Sequence, residues 1–180
     1  MDPSASPPLP AFIAAAAFAA YKHRDQRRKD AKASPYINHP IALANVLANE
    51  AAVSDLIVLM AALLHDTIED TDTTAEELKK QFGAEVAVLV VQVTDDKTLK
   101  KAERKRQQIL HASSISDQAK LVKLADKICN LRDMQVAPPA DWGIERKREY
   151  FDWAKQVVDP MRGVHPRLEA LFDAEYGRRP

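Results

Sequence analysis

Apolar residues recur at helical spacing along almost the whole chain, and no β-branched run alternates cleanly with period two. Glycine is scarce, four in 180 residues, so strands and their turns cannot dominate. The fold class that follows is all-α, and the length suits one helical domain with a real core. A proline-rich lead, residues 1–10, is expected to be disordered, leaving residues 11–180 as the folded domain. Helices are predicted from Ala11 to Lys29, from Pro40 to Glu50 and from Ser54 to Asp70. Thr74, with Glu77 three residues on, offers a capping box for a helix that stops before Gly83. "AEVAVLVVQV", "LKKAERKRQQIL", "DQAKLVKLADKICNLRDM" and "WGIERKREYFDWAKQVV" read as further helices, and His165 to Tyr176 as a short last one.

Composition narrows the functional classes. Lysine and arginine number 26, as do aspartate and glutamate, so no global charge points to nucleic acid or to a membrane surface. The only cysteine, Cys129, excludes an intrachain disulfide and a cysteine zinc cluster, which suits a reducing cytoplasm. "AFIAAAAFAA" resembles a secretory core only superficially: it lacks a basic leader and is too short to span a bilayer, which takes about 20 apolar residues. No obligate protein partner is evident.

One run breaks its own pattern. "VSDLIVLMAALL" is apolar on nearly every side, yet "HDTIEDT" follows it directly. With Met60 at zero and 100° per residue, Leu56, Ile57, Leu63, Leu64, Thr67 and Ile68 form a core-facing stripe. His65, Glu69, Asp66 and Asp70 fall at about 140°, 180°, 240° and 280°. Behind that polar wedge lie Val58, Leu59, Ala61 and Ala62, so it opens into an enclosed space rather than continuing a solvated face. Acids at a helix C-terminus oppose the macrodipole and, crowded together, resist ionising; a divalent cation removes both objections. The competing interpretation is a solvated helix end.

Two further places bear on the choice. His39 precedes Pro40 in "PYINHP", where its ring is free to point inward. Asp126 sits opposite the stripe of Leu121, Leu124, Ala125, Ile128 and Leu131, flanked by Val122 and Cys129. A carboxylate there needs a metal or an ion-pair partner, with Lys127 and Arg132 as candidates for the latter.

The order His39, His65–Asp66, Asp126 resembles the signature of the HD-domain metal-dependent phosphohydrolases. "RRKD", "PYINHP", "AALLHDTIEDT", "QFGAEV", "VTDDKT", "KLVKLADKICNLRDM" and "EYFDWA" are similar, in order, to the hydrolase domain of the RelA/SpoT homologues. The likeness runs from Ala11 to about Val158 and is closest to the small single-domain hydrolases of the metazoan SpoT type. Cys129 departs from it, standing where an aromatic or histidine is more usual. The resemblance implies an HD-domain bundle that hydrolyses the alarmone (p)ppGpp at its 3′-pyrophosphate, giving GDP or GTP and pyrophosphate. It implies one Mn²⁺ held by His39, His65, Asp66 and Asp126; donor type alone also admits Zn²⁺, Fe²⁺ or Ni²⁺.

Glu69 and Asp70, a turn beyond the HD pair, are then the candidates to hold or accept the proton of the attacking water. The resemblance favours Arg28, Lys29, Lys101, Lys127, Asn130, Arg146 and Tyr150 as substrate contacts, most of them from basic clusters whose plain fate would be solvation. The chain also ends too soon for a synthetase domain, so degradation without synthesis is expected. The alternatives are another nucleotide at the same site (the 2′-phosphate of NADPH, or a deoxynucleoside monophosphate) and a non-catalytic nucleotide-binding regulator.

Overall fold

The computed structural model describes residues 8–180, and the first seven residues of the proline-rich lead lie outside them. Ten α-helices follow in order, with no strand among the described residues and only the isolated bridges Arg27–Pro35 and Asp30–Pro139. They are α1 (Pro8–Lys22), α2 (Asn38–Asn45), α3 (Leu56–Leu64), α4 (Thr67–Asp70) and α5 (Ala75–Phe82), then α6 (Ala84–Val93), α7 (Lys101–His111), α8 (Asp117–Val136), α9 (Ile144–Val158) and α10 (Pro166–Tyr176). The all-α expectation holds.

Helix α3 is the axis of the bundle. It packs against α1, α2, α6 and α8, which its all-round apolar sequence requires. Val58, Ala61 and Ala62 are fully buried and Leu59 is partly buried, so three of the four residues behind the polar wedge are enclosed as expected. Helix α8 is the second pillar, touching α2, α3, α6, α9 and α10, and contributes Leu124, Ile128 and Leu131 to the core. Caps act where side-chain chemistry provides them: Thr74 accepts from the Glu77 amide at 3.1 Å, Asp55 from Ile57 and Val58, and Ser116 from Ala119.

Three boundaries differ from the sequence expectation. Helix α1 begins at Pro8 and stops at Lys22, because the next residue, His23, turns inward to lie against the Tyr36 ring at 4.9 Å between centroids. The 40–50 helix starts two residues earlier, at Asn38, and widens into a π turn over Val46–Glu50. The helix expected from Ser54 to Asp70 is broken at His65–Asp66: Asp66 adopts φ −99°, ψ 0°, and a separate single turn, α4, restarts at Thr67. Thr67 is buried and its Oγ1 donates to the Leu64 carbonyl at 2.7 Å, which closes the break.

Arg132 does not serve Asp126. It forks onto Glu50 at the π turn, with both contacts at 2.8 Å, and donates to Glu175 of α10 at 2.9 Å. Replacing it by methionine leaves the Glu175 carboxylate, 7% exposed, short of its main partner. Full burial of such a pair would make the loss about 3–5 kcal/mol; partial exposure of Arg132 and Glu50 reduces it to about 2 kcal/mol. Chemical denaturation at neutral pH checks the value. Arg132 hydrogen bonds also hold the Glu50 carboxyl below its usual range. A depressed carboxyl contributes stability above its unfolded pKa and loses it as pH falls, so the Arg132→Met deficit should shrink in acid.

Candidate active site

Three side chains from three parts of the chain, His39, His65 and Asp126, meet at the crossing of α2, α3 and α8, and Asp66 lies beside His65, outside that cluster. His39 stands in the first turn of α2 rather than in a loop, with Pro40 behind it. His65 ends α3, Asp66 occupies the break, and Asp126 projects from mid-α8. Donor atoms of His39, His65 and Asp126 all lie within 4.8 Å of one another. The two imidazole rings are 5.3 Å apart between centroids. Asp66 Oδ2 lies 2.9 Å from His65 Nε2 and accepts from the Tyr36 hydroxyl.

The tautomers favour a cation. His65 Nδ1 is 2.9 Å from the Ala62 carbonyl, which can only accept, so Nδ1 carries the proton and Nε2 turns its lone pair into the site. That nitrogen has no hydrogen bond to protein, since its approach to Asp66 lacks the alignment of one; His39 Nδ1 is likewise unpartnered. Burial opposes a proton on His65, yet Asp66 and then Asp126 overcome it and push its pKa up to about 9. The field that draws a proton there draws a metal ion equally. Asp66 and Asp126 stay ionised below the usual carboxylate range: burial works against both, but His65 offsets it for Asp66, and Lys127 with His39 for Asp126. Asp126 is well served by protein, with Lys127 at 3.0 Å, Asn130 at 2.6 Å and His39 at 3.2 Å. Two imidazoles and the Asp126 carboxylate, with the Asp66 carboxylate beside His65, are a donor set that fits one divalent ion.

The other two acids part company. Glu69 lines the same cleft as Asp66 and Asp126, accepting from the Asp95 amide at 3.2 Å and facing Arg104 at 3.5 Å. Burial first, then the Asp66 and Asp95 charges, raise its pKa to about 7. Asp70 faces a neighbouring space instead, held by Lys97 and by Gln26 at 2.8 Å. One residue of helical rotation separates them by about 100°.

The cleft measures about 270 Å³ and is walled by positive charge. Arg28, Lys101, Lys127, Asn130 and Tyr150 line it, as the sequence led us to expect for contacts. Lys29 lines an adjoining cleft of about 380 Å³, and Arg146 is exposed, stacked 4.4 Å over the Trp142 ring. Burial lowers the Lys101 pKa, and Arg146, Lys29 and Arg104 lower it further; Lys105 is lowered by burial and then by Lys101. Arg28, Arg104, Lys127 and Arg146 are each paired with an acid, whereas Lys101 and Lys105 make no ion pair among the described residues and offer a place for an anion.

Trp142, Trp153 and Lys105 escaped the sequence reading. The two tryptophans flank the expected Tyr150 in an aromatic wall with neighbouring centroids 5.7 and 5.3 Å apart, and Lys105 lies 4.6 Å over Trp153. The Lys101–Lys105 spacing of four residues on α7 was a usable signal. Tyr36, which grips Asp66, gave none beyond its place three residues before His39.

Comparison with known proteins agrees with this geometry. The model of the HD domain family matches residues 15–151. The chain belongs to the HD-domain family. Among curated HD-domain relatives, the guanosine-3′,5′-bis(diphosphate) 3′-pyrophosphohydrolase of Mus musculus is 57% identical over 168 residues, 93% of this chain and 94% of its own. The Danio rerio protein of the same name is 58% identical over 152 residues, 84% of either chain. A solved HD-domain structure, described as a metazoan orthologue of SpoT that hydrolyses ppGpp and plays a role in starvation responses, superposes with a TM-score of 0.92 at 51% identity. That match covers 97% of this chain and 98% of the other.

Proposed function

We propose that this chain is a guanosine-3′,5′-bis(diphosphate) 3′-pyrophosphohydrolase, releasing pyrophosphate from (p)ppGpp with Mn²⁺ as its metal. The observation that carries the proposal is the junction of the two halves of the site: a cluster of His39, His65 and Asp126 donors, with Asp66 beside it, opens directly into a cleft lined by lysines, arginines and aromatic rings. Relatives named for this activity match nearly the whole chain.

His39, His65, Asp66 and Asp126 would hold the divalent ion, which when bound supplies Lewis-acid polarisation of the phosphoryl group and a more acidic water. The protein's own residues do the rest. Lys101, Lys105, Lys127, Arg28 and Arg146 neutralise the two diphosphates, and the Trp142–Tyr150–Trp153 wall offers a face to a flat or sugar-bearing group. Glu69, with its pKa near neutrality, accepts a proton from the water that attacks the 3′-linked phosphorus. The P–O3′ bond breaks, pyrophosphate leaves, and the departing O3′ takes a proton from solvent water to become the 3′-hydroxyl, which balances the proton accepted by Glu69. Asp70, held by Lys97 and Gln26, is assigned a supporting part beside Arg28 and Tyr36.

Among the described residues no helix is long and apolar enough to cross a membrane. The one thiol is buried with its pKa pushed up to about 12, so the fold relies on no disulfide, which supports a cytoplasmic setting. The deciding experiment incubates purified protein with ppGpp, NADPH or deoxynucleoside monophosphates across a metal series. Pyrophosphate from ppGpp, greatest with Mn²⁺, is expected; orthophosphate from the other substrates and none of this release would overturn the proposal. Lys105→Met removes one charged contact, worth about 1.5–3 kcal/mol, so kcat/KM for ppGpp should fall about 10- to 100-fold. Most of the loss should appear in KM.

A further inference from the structure

Glu69 stands between two spaces. In front is the lysine-lined cleft; at its floor is a chamber of about 50 Å³ bounded by Glu69, by the candidate ion-holding residues His65, Asp66 and Asp126, and on its far side by Gln108 and Lys123. Asp95, Gln108 and Lys123 also line a third hollow, of about 260 Å³, which reaches the surface near exposed Asp96 and His111. Arg104, Asp95 and Gln108 border both this hollow and the front cleft, and so divide them.

The chamber wall is polar and under-satisfied. Val93 and Val122 are its only apolar lining residues. Gln108 Nε2 donates to Asp95, but its buried Oε1 has no hydrogen bond to protein; Arg104 Nε, on the wall between the outer hollow and the cleft, has none either. The Lys123 ammonium, in a residue 9% exposed, has three protons and one good acceptor, the Val93 carbonyl at 3.1 Å; Asp95 Oδ1 is at 3.8 Å. Left dry, each such group would carry an uncompensated desolvation cost. A buried water needs about 10–15 Å³ and two to four polar partners, and the chamber supplies both.

We propose that the chamber and hollow form a rear water passage, lined by Gln108 and Lys123, that serves Glu69 while nucleotide fills the front cleft. Each turnover consumes one water. The proton that Glu69 accepts from it leaves along the chamber waters to solvent, and a fresh water enters by the same way. The inference rests on the hydrolase activity proposed above.

Two variants probe opposite ends of the passage. Gln108→Leu makes the chamber apolar, and Ile115→Trp narrows the outer hollow, which Ile115 lines, without touching Asp95 or Glu69. Each should lower kcat for ppGpp about 10- to 100-fold with KM unchanged, while Gln108→Glu, which keeps an acceptor, recovers most of the rate. A high-resolution crystal structure of the wild type should show ordered water on Gln108 Oε1 and Lys123 Nζ. A dry chamber overturns the passage, and so does a full-rate Ile115→Trp enzyme, since a slow Gln108→Leu alone would mean only that Gln108 positions Asp95. An inactive wild type would overturn the hydrolase proposal itself, an outcome distinct from an active wild type with indifferent variants.

Discussion

Asp126→Asn is expected to lose both metal and turnover. The substitution removes the only carboxylate of the His39–His65–Asp126 cluster while keeping its shape, so affinity for a divalent ion such as Mn²⁺ should collapse. The ion's stabilisation of developing phosphoryl charge is worth several kcal/mol, and at 1.36 kcal/mol per decade this is a fall in kcat/KM of about 10³-fold or more. Metal content by mass spectrometry and pyrophosphate release measure the two losses side by side. Retention of stoichiometric metal by the variant would remove Asp126 from the ligand set.

The same carboxylate has a second duty. Lys127 is 3% exposed and its ammonium lies 3.0 Å from Asp126, with the Trp153 ring at 4.5 Å as its other favourable neighbour. Breaking a buried pair on one side costs about 3–5 kcal/mol, so Asp126→Asn should also melt lower. His39→Gln separates the two effects. It removes an imidazole from the pocket and leaves Lys127 its counter-ion, so metal should be lost with a much smaller change in stability. The pocket is therefore built partly at the expense of the fold: acids held among apolar neighbours are tolerated because histidines, Lys127 and Tyr36 surround them.

How far the sequence foretold this depends on whether a feature is local. Helices α5, α6, α8 and α10 could be read off directly, because their apolar period and the Thr74 cap are properties of adjacent residues. The stop of α1 at Lys22 could not, since "YKHRDQRR" is compatible with a helix and only the burial of His23 beside Tyr36 ends it. The break at His65–Asp66 was hidden for the same reason. Thr67 and Ile68 continue the helical period, whereas Tyr36, 30 residues away in sequence, takes hold of Asp66 at the break. Helical position put His65, Asp66, Glu69 and Asp70 in one wedge, and the structure divides that wedge, because Asp70 finds Lys97 and Gln26 on separate loops. The lysine wall was legible as charge but not as a surface. Lys105 and Trp153 meet only when α7 packs on α9, where the Trp153 indole donates to the Lys105 carbonyl at 3.1 Å.

The division of the acids leads to the sharpest kinetic expectation. Glu69→Gln should reduce kcat for ppGpp about 10²- to 10⁴-fold, the usual range for losing a general base, and leave metal content and KM nearly unchanged. Glutamine preserves the hydrogen bond from the Asp95 amide and the size of the side chain, so the local fold has no reason to shift. What it cannot do is accept a proton. Asp70→Asn provides the contrast: it weakens the contacts to Lys97 and Gln26 at the edge of the adjoining cleft, so it should act mainly on KM. If the two variants lose kcat equally, the carboxylates act as a pair despite facing different spaces, and Glu69 is not the sole base. If Glu69→Gln emerges without metal, Glu69 belongs to the ion's own shell and the proton must pass to another group.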